Sequence, residues 1–306
     1  MQTEFASLYQ LFDAIPDEQA AIDHFRALRW KNGEHCPYCG SVRLFHFSDH
    51  RTHKCADCRQ RFSIKVGTVF EGTKIPLRKW LAAVWLITSH RKGIASTQLA
   101  RDIAVTQKTA WFMLHRLRHA ARTRSFNRVL KGSVEADTTY VGGKEGNKHE
   151  SKRQHKGRGG VGKAVVFGML ERGGELRAGT IEGENAATVR PLIRSHVEHG
   201  ANLYTDEAKA YRGLQGDFNH HTVNHSAGEY VRHFHAHTNG MEGVWAILKR
   251  QIVGVHHWIS PWQLARYVDE IVWRYNRRDA KEGVRVSEFL SRVDGRLRYV
   301  DLIGKA

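Results

Sequence analysis

Cys36 and Cys39 stand two residues apart, Cys55 and Cys58 repeat that spacing, and fifteen residues separate the pairs. No other feature of the chain restricts its local folding as tightly. Two such knuckles on hairpin tips can hold one tetrahedral metal through four thiolates, the arrangement of a structural zinc site. Two disulfides, or cysteines buried together by chance, are the plainer readings. A thioredoxin-like redox site needs only one such pair within a βαβ setting. The double spacing favours a single structural Zn²⁺ on Cys36, Cys39, Cys55 and Cys58. His46, His50 and His53 lie between the knuckles and could substitute as ligands, but four cysteines already fill the site. Residues 59–70 alternate like the closing strand of a zinc ribbon, expected over 33–72. A short helical leader over 1–32 places Pro16 at a first helical position, with Asp17 and Glu18 in the opening turn. All four cysteines are used here, and the N-terminus lacks the basic-then-apolar pattern of a secretion signal, which points to a reduced cytoplasmic compartment.

Charge narrows the partner. Lys and Arg number 48 against 31 Asp and Glu, a net +17 that favours a polyanion, either nucleic acid or an anionic membrane surface. No apolar run approaches the roughly 20 residues a membrane span needs, so nucleic acid is the better partner. From Leu77 to Arg122 the apolar spacing turns helical. Ser96 or Thr97 can cap a middle helix and Thr106 a last one, with a turn at Ala104-Val105 between them. The pattern resembles a helix-turn-helix module over 73–125. Gln107, Lys108 and Thr109 would then face base edges, while Arg116, Arg118 and Arg122 reach phosphates. A plain helical bundle with a basic solvent face is the alternative.

Beyond a linker over 123–131, Gly132 to Gly143 reads as a strand closed by a Gly-Gly turn. Asp137 is its odd member, because a carboxylate in mid-strand is costly to bury unless something pairs with it. The basic stretch 144–163 that follows carries seven Lys or Arg against two Glu and has no apolar residue but Val161. It reads as a solvated loop whose Lys152, Arg153 and Lys156 can grip a phosphate backbone. Within it, 157–164 imitates a nucleotide-binding loop but puts Ala164 at the hydroxyl position and lacks the strand before and helix after, so an NTPase is rejected. Two more strands, a helix capped by Asn185, a fourth strand ending at Asp206, an irregular His-rich stretch over 215–238 and two further helices complete the order.

Three hairpin-linked strands, a helix, a fourth strand and a later helix is the element order of an RNase H-like α/β fold. In that fold Asp137 and Asp206 become neighbours and Glu242 comes in from the later helix. Asn239, Glu242 and Lys249 share one face of it. Three carboxylates in one cleft repel unless cations compensate, and two Mg²⁺ would do so, with Mn²⁺ able to substitute.

The segments CPYCGS…HKCADCRQRFSIKVGTVF, VEADTTYVGG, LYTDEAKAY, HTNGMEGVWAILKR and YNRR resemble, in that order, the IS1595-type (ISXO2-like) insertion-sequence transposases, a DDE family with an N-terminal zinc ribbon. Thirty-five residues separate Asp206 from Glu242, the spacing of the wider DD(35)E group. The resemblance implies a bacterial insertion-sequence transposase that binds terminal inverted repeats and target DNA, cleaves strands and joins them with Mg²⁺. It implies Asp137, Asp206 and Glu242 as the acids, Asn239 as a residue that shares or takes the third ligand role, and Lys249 as the basic residue after the glutamate. It also implies a homo-oligomer on DNA, associated with the nucleoid, and a catalytic domain over 130–290 followed by a tail, 291–306. A DNA-binding regulator with an inert nuclease-like domain and an RNase H-like nuclease that never joins strands are the competing classes.

Overall fold

The computed structural model describes residues 5–49, 51–122, 128–143, 145–153, 160–223 and 237–304. The chain divides into two compact units, one of Met1–Ala121 with Asp279–Ala306 and one of Arg122–Arg278.

In the first unit, α1 (Leu8–Ala14) and α2 (Glu18–Arg29) lead into three short strands, β1 (Leu44–His46), β2 (Thr52–Cys55) and β3 (Arg61–Ser63). These form an antiparallel sheet in chain order, followed by α3 (Leu77–Ser89), α4 (Ser96–Asp102) and α5 (Gln107–Ala121). Asp17 caps α2 by accepting the Ala20 amide at 2.8 Å, so Pro16 lies outside the helix instead of at its first position. The carboxylate of Glu18 accepts the Leu77 and Arg78 amides at 2.8 and 3.0 Å, where α3 has no side-chain cap of its own. Phe25, Phe70 and Trp80 form the buried aromatic centre, with ring centroids 5.3 and 4.9 Å apart. The turn between α4 and α5 falls at Ala104, at φ 50, and Thr106 accepts the Thr109 amide at 3.2 Å. Neither Ser96 nor Thr97 caps α4: Ala95 holds that position, and the Ser96 hydroxyl accepts the Gln107 side-chain amide at 2.9 Å instead.

The second unit is built on β4 (Ser133–Val141), β5 (Ala164–Glu171), β6 (Leu176–Ile181), α6 (Ala186–His196), β7 (Asn202–Asp206), β8 (Asn219–Val223), α7 (Asn239–Gln251) and α8 (Leu264–Asn276). Its sheet runs β6-β5-β4-β7-β8, with β4, β5 and β6 antiparallel and β7 and β8 parallel to β4. That order and those directions are the RNase H-like arrangement. Val134, Ala136, Leu203, Val189 and Ile193 make the core between the sheet and α6. Val141, Val166, Leu170, Met241, Trp245 and Leu248 make a second core on the opposite face, under α7 and α8. Asn185 caps α6 as expected, accepting the Thr188 amide at 3.0 Å. Part of the stretch read from sequence as irregular is a fifth strand: β8 pairs from Asn219 to Val223 along the edge of β7. Its sequence, NHHTV, buries only Val223 and so carries no apolar alternation. Asn276 holds the start of β6, its amide accepting the Leu176 N–H at 2.7 Å and donating to the Leu176 carbonyl at 2.9 Å.

α9 (Glu282–Leu290) and α10 (Tyr299–Ile303) return to the first unit, where α9 packs against α2 and α3. Residues 279–306 thus belong to that unit as one piece. Among the described residues no helix is long and apolar enough to cross a membrane.

Candidate active site

β4 and β7 run parallel, with Glu135 opposite Tyr204 as the last pair of their ladder. Two residues further along each strand stand Asp137 and Asp206, on the same face because side chains alternate. The register therefore sets two carboxylates beside each other where neighbouring strands lie about 4.8 Å apart. Burial, and next the charge of Asp206, push the Asp137 carboxyl up to about 6. Hydrogen bonds from the Thr138 amide and the Trp245 indole oppose that rise without cancelling it. A metal cation would remove the repulsion, and the oxygen donors present suit a hard ion such as Mg²⁺.

Trp245 comes from α7, and its Nε1–H donates to Asp137 Oδ2 at 2.8 Å. The helix can lie this close because Gly168 faces Asp137 on β5. A Cβ at Gly168 would come to 2.5 Å from Met241 Cε and 2.7 Å from Trp245 Cη2. One turn earlier, Glu135 fastens the helix start. Its carboxylate is 1% exposed, accepts the Met241 amide at 2.9 Å and the Arg172 Nε–H at 2.8 Å, and lies 3.3 Å from His237 Nδ1. Gly240 leaves room for this, since a Cβ there would stand 2.8 Å from Glu135 Oε2. Glu135 and Trp245 thus fix α7 along β4, at two levels one helical turn apart.

The sequence reading gave neither of these residues a role in the site, nor Glu184. The Glu184 carboxylate accepts the Thr138 hydroxyl and the Tyr140 phenol, each at 2.6 Å. The bond from Tyr140 to Glu184, and next burial, push the Tyr140 phenol up to about 12. Burial and the charges of Asp137, Asp206 and Glu184 raise the Tyr211 phenol well above its usual range, which keeps it protonated. Beside Asp206, Glu207, Ala208, Tyr211, Arg212 and His220 line a cavity of about 270 Å³. The signal for Glu135 was present: a second acid two residues before Asp137, on the same face of the strand. Glu184 sits in a loop, 46 residues from the hydroxyl of Thr138 that it accepts, and carries no local pattern.

Glu242 and Asn239 occupy the first turn of α7 and Lys249 lies two turns after Glu242; all three are exposed. Asp137, Asp206 and Glu242 do not form one group with all ligand atoms within 4.8 Å; among the described residues the four cysteines do, as do Glu34, His46 and His53. In the second of those groups Arg26 Nε donates to Glu34 at 2.5 Å and the Nδ1 atoms of His46 and His53 lie 3.0 Å apart. In the basic loop, Arg153 donates to the carbonyls of Lys148 and Gly146 at 3.0 and 2.8 Å. Lys156 and the side chain of Lys152 lie outside the described residues.

On α5, Gln107 and Lys108 are exposed and Thr109 is half-buried. Arg116 is not available to DNA: at 3% exposure it donates to the Val69 and Glu71 carbonyls, both at 2.6 Å. Arg118 is buried as well, whereas Arg122 is exposed. The helical period puts Arg116 with the inward row of Met113 and Leu117, and a long side chain there finds its partners in the loop beneath.

The four thiols fit a metal. Cys36 and Cys58 Sγ lie 3.6 Å apart, as do Cys39 and Cys55 Sγ. Tetrahedral zinc with Zn–S of about 2.3 Å requires about 3.8 Å, and a disulfide about 2 Å. The residue after each knuckle, Gly40 at φ 75 and Arg59 at φ 58, takes the left-handed conformation that closes the turn.

The profile of the ISXO2-like transposase domain matches residues 129–276, and that of a transposase zinc-ribbon domain matches residues 16–61. An uncharacterized protein of the transposable element ISH50 from Halobacterium salinarum is 29% identical over 265 residues, which is 82% of this chain and 88% of that protein. An uncharacterized transposase-like protein from Haemophilus influenzae is 30% identical over 102 residues, 33% of this chain and 80% of that one. A solved chain in the Mos1 strand transfer complex covers 74% of this chain and 82% of its own length at 14% identity, but its TM-score of 0.26 is too low to bear on the argument. With the zinc ribbon and the transposase domain matched in order, and with a relative aligned across most of both lengths, the chain belongs to the IS1595 (ISXO2-like) transposase family.

Proposed function

We propose that this transposase binds the ends of its insertion sequence and catalyses Mg²⁺-dependent strand cleavage followed by strand transfer, with Asp137, Asp206 and Glu242 as the metal-holding acids. The observation that carries the reading is the placement of Asp137 and Asp206, each two residues beyond the last ladder pair of β4 and β7, with Asp137 raised to about 6 by burial and by its neighbour. Magnesium bound there would supply charge neutralisation and an activated oxygen for in-line phosphoryl displacement. Trp245 orients the Asp137 carboxylate by donating to its Oδ2. Glu135 anchors the first turn of α7, from which Glu242 and Asn239 extend. A carboxylate offsets dications better than an amide, so Glu242 takes the third position and Asn239 orients substrate. Lys249 engages the DNA backbone, and Gln107, Lys108 and Thr109 discriminate the end sequence. The basic loop with Lys152, Arg153 and Lys156 adds sequence-independent grip. One structural Zn²⁺ per chain occupies the ribbon, and the chain works as a homo-oligomer on the DNA.

A duplex carrying the element's own end, with a second duplex as target, tests this. Glu242→Gln should lose cleavage and joining while keeping end binding; Asn239→Ala should retain measurable cleavage. A Glu242→Gln protein that cuts normally beside an inactive Asn239→Ala would assign the third position to Asn239. Wild-type protein that cuts without ever joining strands would make the chain a nuclease.

A further inference from the structure

We propose that residues 252–262, beyond the end of α7, form an aromatic platform that stacks on unpaired bases of the DNA end held at the active site. This rests on the function proposed above. Along α7, Met241 is tied at the level of Glu135 and Trp245 at the level of Asp137, so the helix runs in the direction of β4. Another turn reaches Lys249, and Leu248 already packs in the same core as Val141, the last residue of β4. The segment that follows therefore lies at the carboxyl end of the parallel strands, the end at which Asp206 closes β7.

There the chain forms a π-helical turn, Ile252–His256, and then His257 at φ 61 and ψ −43, a conformation costly for a residue with a Cβ. Val253, Trp258 and Trp262 are 71%, 66% and 47% exposed. Two tryptophans left in water within five positions are unusual on a surface with no partner. The segment is nonetheless anchored from below. Gln251 is fully buried, its Nε2 lies 3.1 Å from His256 Nε2, and its side-chain Oε1 accepts the Arg274 Nη2–H at 2.7 Å. Arg274 pairs in turn with Glu270, and the His256 ring packs edge-on against Tyr267 at 4.8 Å. Ile259, which lies between the two tryptophans in sequence, is buried.

Charge selects the occupant. From Lys249 to Trp262 the chain carries Lys249, Arg250, His256 and His257 and no acid. A basic stretch without acids that exposes two indoles fits a polyanion with planar rings. In a duplex those ring faces are covered by their neighbours, so the partner is the few nucleotides that separate at an opened end.

The experiment compares zinc-loaded wild type with Trp258→Ala/Trp262→Ala and Trp258→Phe/Trp262→Phe. Affinity is measured for a fully paired end, the same end with four unpaired terminal nucleotides, and an internal duplex. The wild type should prefer the opened end. The double alanine variant should lose about tenfold or more on that substrate, in line with stacking losses per base, while its affinity for the internal duplex changes little. The phenylalanine pair, which keeps an aromatic face, should recover most of the loss. Equal affinities of wild type and alanine variant for the opened end overturn the inference. So does a change of oligomeric state in the alanine variant with equal loss on all three DNAs, which would make the platform a contact between copies. A wild type that cuts the paired end normally while the platform variants are unaffected sinks this inference alone; a wild type that neither binds nor cuts ends removes the proposed function with it.

Discussion

Asp137 is held in an environment that disfavours its charge, and the cost is measurable without catalysis. Its folded-state value of about 6 lies above the value near 3.9 of an unfolded chain. The folded protein therefore binds the extra proton between those values. The stability this group contributes is complete below about pH 4 and is lost as pH rises through 6. At pH 7.5 in chelator the ionised carboxylate should cost up to about 3 kcal/mol, at 1.36 kcal/mol per unit. Asp137→Asn should thus be more stable than wild type at pH 7.5 without metal and nearly equal to it at pH 4, as read by denaturant or thermal unfolding. Adding Mg²⁺ at pH 7.5 should stabilise the wild type and not the variant. A variant less stable than wild type at pH 7.5 in chelator would show that Asp137 is an ordinary paired strand residue.

At the scale of elements, the docking of α7 on the sheet decides whether the site forms. It depends on Gly168 and Gly240, which let the helix approach Asp137 and Glu135. Gly168→Ala forces Met241 and Trp245 away from β5, and overpacking of this kind costs about 1–3 kcal/mol. It should lower the melting temperature and reduce cleavage far more than end binding; normal cleavage would mean that the indole contact with Asp137 is dispensable. The order of elements and the positions of Asp137 and Asp206 were legible because strand alternation and helical spacing are local patterns. Asn185 and Thr106 were legible as caps for the same reason. What was not legible depends on partners distant in sequence. β8 is an edge strand with little apolar content, so pairing with β7, not periodicity, makes it a strand. Glu184 gains its place from two hydroxyls on β4, and Arg116 turns inward because the carbonyls of Val69 and Glu71 lie beneath it.

At the scale of the whole molecule, each unit has its own core, and a charge of +17 is spread over the full chain. With zinc as proposed, the ribbon would depend on its metal, since four thiolates in contact gain little without a cation between them. Purified protein should carry about one zinc per chain. Cys55→Ser should lose most of that zinc and, with it, sequence-selective end binding, and full retention of both would remove zinc from the account. The catalytic claim has a more direct test: cleavage of an end-bearing duplex in Mg²⁺ by wild type, Asp137→Asn and Asp206→Asn, with end binding measured on the same samples. The wild type should cut, and both variants should bind the end normally while cleavage falls about a thousandfold or more. Either variant cutting at the wild-type rate with normal binding would contradict the assignment of Asp137 and Asp206 as the heart of the site.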